Sequence, residues 1–349
     1  MEVFKSSFPF FSDLADASVK AGFPRIALVG GAVRDLLLLN GSISPSIELK
    51  DFDFVIEGDV FSFCLSLVEQ FGSDRVSCIS HYSNFQTVSL NFDGFPLDIA
   101  MSRMETYSLP AHNPTIQPGS LDADLLRRDF TINAIAFDIV YGNIIDLYNG
   151  MEDLANSRLV FLHPHSVRDD PTRVVRASRY AARFGFVLST DSQHQLTTTI
   201  HQWPWDWTHE DNPELAPPAL SSRLRMELDR LFVNEPWSVA LNLLEDWQAM
   251  TLFDPSLQID PGRNRRIAWA KRLGLPLLPA WLAVVPDPQA VARRLNVPAQ
   301  HERWLKQLVR LREWLLSVDA PDVHAAPDVW TVALEIQGWM PETVAVMVC

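Results

Sequence analysis

The sequence predicts an α/β unit followed by a mainly helical body, and three observations support this fold class. Before residue 200, short apolar runs such as "RIALVGG" and "FDFVIEG" alternate with helical stretches such as "AVRDLLLLN". After residue 200, apolar residues recur at spacings of three and four, and all eleven tryptophans lie there. The chain has 349 residues, which is too long for one ordinary core, so we expect two or three domains.

The composition is typical of a globular protein. The apolar fraction is 47 %, but no apolar run approaches the ~18 residues that span a bilayer. The amino terminus lacks the pattern of a secretion signal. The three cysteines, Cys64, Cys78 and Cys349, share no metal-ligand or disulfide spacing. We therefore expect a cytoplasmic protein that contacts no membrane, and no obligate protein partner is evident.

The charge is unevenly distributed along the chain. The net charge of −14 argues at first against nucleic acid, because phosphates need a positive surface. Between Gly262 and Arg312, however, eleven Lys and Arg face two acids, which gives this segment +9 and leaves about −23 for the rest. Two interpretations remain open for the basic segment, a solvated helical face or a binding surface for an anionic polymer.

The first candidate site is the pair Gly30-Gly31, which lies between a strand-like run and a helix predicted to begin near Ala32. Glycine allows a sharp turn and a close backbone approach, and a helix N-terminus favours phosphate. Arg34 could add a second donor group. The pair matches neither a Walker loop nor G-x-G-x-x-G, so an ordinary structural turn is the alternative.

The second candidate site is "KDFDFVIEG". On a strand, Asp51 and Asp53 share one face while Phe52 and Phe54 share the other. Two neighbouring carboxylates suit divalent ions, and Mg²⁺ is the natural choice where substrate phosphates complete the site. Asp98, in the strand-like run "FPLDIA", is a candidate third ligand. The alternative is an exposed strand face.

A third candidate is "DLLRRDFTINAIAFD", residues 124–138, in which charged residues directly precede a run of buried character. Unpaired charges would be costly there. Arg128 suits a triphosphate oxygen and Asp129 suits a ribose hydroxyl. A structural salt bridge at this corner is the alternative.

The stretch "DDPTRVVRASRYAARFGF" predicts a helix over about residues 171–184. Asp170 is a suitable N-cap, Pro171 fits the first helical position, and Gly185 fits the residue after the last turn. Arg173, Arg176 and Arg179 recur every three residues along this helix, with Arg183 next in line, and no acids stand at the partner positions.

These arginines therefore need anions or base edges elsewhere. Asp170 can accept from an exocyclic amine of cytosine or adenine, while Arg173 donates to ring or carbonyl acceptors. A helix packed against an acidic neighbouring domain is the alternative.

Together, "LVGGAVRDLLL", "KDFDFVIEGD", "DLLRRDFTINAIA", "DLYNGMEDLANSRLVFLH" and "DDPTRVVRASRYAARFGF" resemble the successive motifs of class II tRNA nucleotidyltransferases and the related bacterial poly(A) polymerases. The resemblance covers roughly residues 25–190. It implies a head of the polymerase-β nucleotidyltransferase type followed by an all-helical neck, body and tail. The corresponding domains are 1–140 for the head, 141–200 for the neck and 201–349 for the body and tail.

The resemblance also implies roles for single residues. Asp51 and Asp53 would hold two Mg²⁺ ions and carry the catalysis. The incoming CTP or ATP would contact Gly30, Gly31, Arg34, Arg128 and Asp129, and its base would be read by Asp170 and Arg173 beside Arg176 and Arg179. The implied partner is the tRNA 3′ end, and we expect docking of its phosphates on the basic segment, including Arg263, Arg265, Arg266, Lys271 and Arg272.

The implied reaction is the addition of C, C and A to tRNA without a nucleic-acid template. Two departures from the family pattern are visible. The base-reading motif begins with Asp169 where Glu is usual, and the segment before R-R-D is nearer to that of A-adding relatives. Specialists that add only A or only CC, and poly(A) polymerases, are therefore alternatives. A noncatalytic RNA-binding protein and a small-molecule nucleotidyltransferase represent other classes.

Overall fold

The computed structural model describes residues 8, 10–23, 25–39, 52–82, 86–318 and 338–348. The described residues fall into two compact units. Unit one takes its residues from Met1–Ser108, Pro114–Ser166 and Val187–Ser192. Unit two takes its residues from Leu109–Asn113, Val167–Phe186 and Gln193–Cys349.

The first part of the chain alternates strands and helices, as the sequence predicts. In chain order the elements are α1 (Phe10–Lys20), β1 (Ile26–Val29), α2 (Gly31–Leu38), β2 (Phe52–Ile56), α3 (Val60–Phe71), β3 (Val76–Tyr82), β4 (Thr87–Phe92), β5 (Phe95–Met101), β6 (Arg103–Thr106), β7 (Thr115–Pro118), α4 (Leu121–Leu126), a 3₁₀ turn (Thr131–Asn133), β8 (Ile135–Asp138), β9 (Asn143–Asp146), α5 (Gly150–Ala155) and β10 (Arg158–Leu159).

Seven of these strands form one mixed sheet in the order β3-β4-β5-β2-β1-β8-β9. β2 and β5 run parallel, and the other neighbours pair antiparallel. The sheet thus extends to Asp146, beyond the residue-140 boundary expected for the head. The functional boundaries at 140 and 200 stay predictions.

The alternation predicted for Phe52, Asp53 and Phe54 is confirmed in β2, and Val55 and Ile56 beyond it are both buried. Phe52 and Phe54 are buried and Asp53 is exposed. The two phenylalanines pack against aromatic rings of α1, with Phe10 and Phe11 both about 1 % exposed. Burial of these rings supplies much of the hydrophobic stabilisation of this layer. The core therefore fixes the register of β2 and turns Asp53 towards solvent.

The described residues from 166 onward are mainly helical, so the helical part that the sequence predicts after residue 200 begins earlier in the chain. The elements are α6 (Ser166–Asp169), α7 (Thr172–Phe184), β11 (Val187–Leu188), α8 (Thr190–Gln202), 3₁₀ turns (Pro213–Leu215 and Pro218–Leu220), α9 (Ser222–Asn234), α10 (Trp237–Asp246), 3₁₀ turns (Ala249–Leu252 and Pro255–Gln258), α11 (Arg263–Arg272), α12 (Leu277–Leu282), α13 (Pro288–Arg294), α14 (Ala299–Val318) and α15 (Pro341–Val348). Within the described ranges, no helix is both long and apolar enough to cross a membrane.

A helix is present where the sequence predicts one over about residues 171–184, but α7 begins at Thr172, so Pro171 and not Asp170 is its N-cap residue. Gly185 follows the helix in the left-handed conformation at φ 70°, and the Asp170 carboxylate accepts from the Thr172 amide at 3.1 Å. Trp205 donates from Nε1 to the carbonyl of Arg168 at 2.9 Å. This bond anchors the chain two residues before Asp170 to the tryptophan-rich segment at residues 203–207.

A close backbone contact holds the 3₁₀ turn of unit one in place. A Cβ atom added to Gly150, the first residue of α5, would lie 2.3 Å from the carbonyl oxygen of Thr131. The Gly150 amide also donates to Asp146 Oδ1 at 2.7 Å. Because this contact joins the backbones of Gly150 and Thr131, a side chain at residue 150 would force the 3₁₀ turn or helix α5 to move.

We expect Gly150→Ala to lower the free energy of unfolding by ~1–3 kcal/mol, since the added methyl group must displace the 3₁₀ turn. Urea unfolding followed by circular dichroism measures the change. Met151→Ala is the matched control, because its side chain is 43 % exposed and its loss should change stability by less than ~0.5 kcal/mol. Equal stabilities of the two variants would contradict the tight contact.

Candidate active site

The turn between β1 and α2 brings a glycine against two charged side chains. Gly30 has φ 72° and ψ −136°, a conformation that favours glycine. A Cβ atom on Gly30 would lie 3.0 Å from Arg128 Nη1 and 3.9 Å from Asp53 Oδ2. Gly31 begins α2, and a Cβ atom on it would lie 3.5 Å from Arg34 Nη2. Three of the predicted site segments therefore meet at this turn.

Two candidate metal ligands lie side by side on the sheet. Asp53 on β2 is the register partner of Asp98 on β5, and both side chains are exposed. Paired residues of adjacent strands share a face and have backbones ~5 Å apart, so their carboxylates can converge. Ser89 on β4 donates to Asp98 Oδ1 at 2.5 Å and orients this carboxylate.

This donor set fits Mg²⁺, because it offers carboxylate oxygens on one exposed face beside a guanidinium suited to phosphate. Asp51 lies outside the described residues, so its predicted role stays a prediction. Within the described ranges, no group of three or more His, Cys, Asp or Glu side chains is arranged to hold a metal ion.

Arg128 is held by a buried acid that the sequence argument had overlooked. Asp124 on α4 is fully buried and accepts from Arg128 Nη2 at 3.0 Å and from Arg127 Nη2 at 2.8 Å. Burial opposes the ionisation of Asp124, but the guanidinium groups of Arg128 and Arg127 outweigh it and lower the pKa of the carboxyl. The i,i+4 spacing of Asp124 and Arg128 on a helix was the available signal.

Arg34 and Asp129 are both buried and are joined through Asn133. Arg34 Nη1 donates to Asn133 Oδ1 at 2.7 Å, and Asn133 Nδ2 donates to Asp129 Oδ1 at 2.9 Å. Arg34 Nε also donates to Asp35 Oδ1 at 2.8 Å. The three bridged side chains are 3–7 % exposed. Asn133 had not been singled out, because an amide inside an apolar run carries no recognisable pattern.

In unit two, the Asp170 carboxylate is fixed by two neighbours. Its Oδ1 accepts from Thr172 Oγ1 at 2.6 Å and its Oδ2 from Arg223 Nη2 at 2.5 Å. Asp170 is 6 % exposed and Arg173, one turn further along α7, is 4 % exposed. Arg223 is the third residue, after Asp124 and Asn133, to which the sequence assigned no role.

The other arginines of α7 pair with two buried glutamates. Arg176 and Arg179 contact Glu227 on α9, with Arg176 Nη1 3.3 Å from Glu227 Oε1. Arg179 and Arg183 contact Glu235 just after α9. These contacts agree with the alternative interpretation of the sequence, in which the arginine helix packs against acidic neighbours. Participation of Arg176 and Arg179 in nucleotide binding stays a prediction.

The basic segment divides into structural and exposed residues. Arg263 is buried and contacts Glu245 at 2.8 Å, and Arg266 is buried beside Asp260. The exposed basic residues of the segment are Arg265, Lys271, Arg272, Arg293, Arg303, Lys306 and Arg310. Only this second group presents its charge to solvent for an RNA phosphate.

Solved structures share this fold. CCA-adding enzyme in its apo form II superposes with a TM-score of 0.74 at 23 % identity, covering 97 % of this chain and 78 % of that one. The complex of CCA-adding enzyme with CTP gives 0.71 at 23 % identity, covering 97 % and 77 %. The predicted fold class, a polymerase-β-type head followed by helical domains, is thereby confirmed.

Sequence relatives include three kinds of tRNA nucleotidyltransferase. The A-adding tRNA nucleotidyltransferase of Aquifex aeolicus is 37 % identical over 180 residues, which are 51 % of this chain and 20 % of that protein. That of Halalkalibacterium halodurans is 36 % identical over 46 % of this chain and 36 % of its own length. This chain thus spans only about a fifth to a third of these relatives.

A longer alignment comes from the CC-adding tRNA nucleotidyltransferase of Deinococcus radiodurans, which is 31 % identical over 292 residues, or 81 % of this chain and 70 % of that protein. The Poly A polymerase head domain family matches residues 26–160, which hold Gly30, Arg34, Asp53, Arg128 and Asp129. The chain therefore belongs to the family of class II tRNA nucleotidyltransferases and bacterial poly(A) polymerases.

Proposed function

We propose that this protein adds nucleotides from CTP and ATP to the 3′ end of tRNA without a nucleic-acid template. The observation that carries the proposal is the close approach of two charged side chains to Gly30, since a Cβ atom there would lie 3.0 Å from Arg128 Nη1 and 3.9 Å from Asp53 Oδ2. A cation and a metal-binding acid beside the first amides of a helix are suited to a phosphate. The relatives, which are tRNA nucleotidyltransferases, supply the substrate class.

In this proposal unit one binds the triphosphate and the ribose. Arg128 and Arg34 donate to phosphate oxygens, and Gly30 and Gly31 let the backbone amides of α2 approach them. Asp129 accepts from a ribose hydroxyl. Asp124 keeps Arg128 in place before substrate arrives, so less ordering is needed on binding.

Mg²⁺ would be held by Asp53 and Asp98 together with Asp51. When bound, it would lower the pKa of the attacking 3′ hydroxyl and stabilise charge on the leaving pyrophosphate. The protein's own part is to orient its carboxylates towards one face of the sheet, which the register of β2 and β5 achieves.

The base is selected by Asp170 and Arg173 of unit two. An adenine or cytosine amine donates to the Asp170 carboxylate, and Arg173 donates to a ring or carbonyl acceptor. Thr172 and Arg223 prevent rotation of Asp170, so its acceptor direction is defined. Uracil lacks the amine and is rejected because the acceptor would be left unpaired.

We place the activity in the cytoplasm, as the composition predicts. The number and kind of nucleotides added distinguish the remaining candidates, since the relatives include A-adding, CC-adding and CCA-adding enzymes. The exposed cations of the basic segment favour a large RNA substrate over a small molecule.

The proposal is tested by incubating the protein with labelled CTP or ATP, Mg²⁺ and tRNAs ending at the discriminator base, at C or at CC. We expect incorporation in the wild type and a loss of at least ~100-fold in Asp53→Asn, with tRNA binding retained, because the carboxylate acts only in the transfer step. Asp74→Asn, an exposed acid of unit one, is the matched control.

No incorporation into any of the three ends by the wild type would reject nucleotidyl transfer. Addition of A alone to the CC end would identify an A-adding specialist, and addition of CC alone would identify a CC-adding one.

Arg173→Ala should change nucleotide choice. We expect the preference for CTP or ATP over UTP, measured as a ratio of kcat/KM values, to fall by about tenfold, since a paired base contact is worth ~1–3 kcal/mol. Arg183→Ala, in the same helix, removes an ion pair with Glu235 and serves as control. An unchanged ratio in Arg173→Ala would show that the base is read elsewhere.

The exposed cations of α11 should support tRNA binding. Lys271→Ala with Arg272→Ala is expected to weaken tRNA binding and to reduce the slope of log Kd against log salt by ~2, because two phosphate contacts are lost. Filter binding at several salt concentrations measures the slope. Lys20→Ala, an exposed lysine of unit one, should leave the slope unchanged; equal slopes for all variants would exclude α11 from the contact surface.

A further inference from the structure

Asn133 lies at the point where three of the predicted nucleotide-binding side chains meet. Its side-chain oxygen accepts from Arg34 Nη1 at 2.7 Å, and its side-chain nitrogen donates to Asp129 Oδ1 at 2.9 Å. Its backbone carbonyl accepts from Arg128 Nη1 at 3.5 Å. One residue of the 3₁₀ turn therefore contacts both arginines assigned to the triphosphate and the acid assigned to the ribose.

The orientation of this amide is dictated by chemistry. A guanidinium can only donate, and an ionised carboxylate can only accept. The Asn133 oxygen must therefore face Arg34 and its nitrogen must face Asp129. With the amide 5 % exposed, water does not compete freely for these two bonds.

Each bond fixes the plane of a charged group. The Asp129 Oδ1 atom accepts from Asn133 and also from the Phe130 amide at 2.9 Å, so two donors set the rotation of its carboxylate. On the opposite side, Asp35 engages Arg34 at Nε while Asn133 engages it at Nη1. Both groups are thus oriented before any ligand arrives.

A neutral amide suits this position better than a charged residue. An aspartate would pair with Arg34 but would stand next to Asp129 as a like charge, and a lysine or arginine would repel Arg34. Asparagine couples a cation and an anion from segments 95 residues apart and adds no charge of its own.

We infer that Asn133 is a positioning residue that couples triphosphate binding by Arg34 to ribose recognition by Asp129. The inference rests on the proposed function of these two residues. The coupling predicts that a change at Asn133 alters discrimination between ribonucleotides and deoxyribonucleotides, which a purely structural role of the amide would not do.

The test compares the binding of CTP, 2′-deoxy-CTP and 3′-deoxy-CTP to the full-length protein by titration calorimetry with Mg²⁺ and without RNA. Asn133→Ala removes both bonds, so it should weaken the binding of all three nucleotides. The preference for CTP over the analogue that lacks the hydroxyl contacted by Asp129 should fall by about tenfold, the size expected for a hydrogen bond to a charged group. The same preference measured as kcat/KM in the tRNA assay should fall in parallel.

A second variant, Asn133→Asp, distinguishes the bond to Arg34 from the bond to Asp129. It keeps an oxygen for Arg34 but replaces the donor to Asp129 with an acceptor and adds a negative charge, so the affinities for CTP and for its deoxy analogues should all fall, and the preference for CTP should fall at least as far as in Asn133→Ala. This variant preserves the shape of the side chain and provides a second measurement if the alanine variant folds poorly.

Thr131→Val is the matched control. It removes a buried hydrogen bond from the same 3₁₀ turn, the 2.7 Å bond to Asp153 Oδ2, but Thr131 makes none of the bridging bonds. It should lower stability and leave the ratio of CTP to deoxy-CTP affinity unchanged. Ratios at the wild-type value in both Asn133 variants, with losses of stability like that of Thr131→Val, would overturn the coupling and leave Asn133 a structural residue.

The wild type separates this failure from failure of the proposed function. Normal nucleotide incorporation by the wild type with unchanged ratios in the variants would reject the role of Asn133 alone. Absence of any nucleotide binding by the wild type would reject the proposed function and the inference together.

Discussion

The pairing of buried arginines with fixed acceptors is the constraint on which the candidate site depends. A guanidinium cannot lose its charge at neutral pH, so burying it without a partner would cost several kcal/mol. Arg34, Arg173 and Arg179 are each less than 7 % exposed. Acids and amides must therefore be built into the core beside them, and those partners also determine where the arginines point.

Around Arg128 this requirement is met by acids that several arginines share. Arg103, Arg127 and Arg128 share the two acids Glu105 and Asp124. The side chains of the two acids are more deeply buried than those of the arginines, so the guanidinium groups lie on the solvent side of these pairs. The same ion pairs that stabilise this corner would also hold Arg128 in place for the proposed phosphate, so a structural salt bridge and a substrate site are compatible interpretations here.

How much could be read from the sequence depended on the range of each interaction. The alternation around Asp53, the glycine turn at Gly30 and the helix ending at Gly185 are local, so period and turn chemistry predicted them. The partners of the α7 arginines, Glu227 and Glu235, lie about 50 residues away and become neighbours only through helix packing. The burial of Arg263 and Arg266 could not be predicted from the sequence either, because a charge count does not distinguish paired from exposed cations.

The Asp170 carboxylate keeps acceptor capacity for the proposed base recognition although three donors already contact it. An ionised carboxylate has about four lone-pair sites. Three donors, the Thr172 amide, the Thr172 hydroxyl and the Arg223 guanidinium, leave capacity for one more. Because both oxygens are already fixed, that last direction is defined by the protein and not by the ligand. An amine in the right place gains a hydrogen bond without an ordering cost, and a base with a carbonyl there meets an acceptor that cannot rotate away.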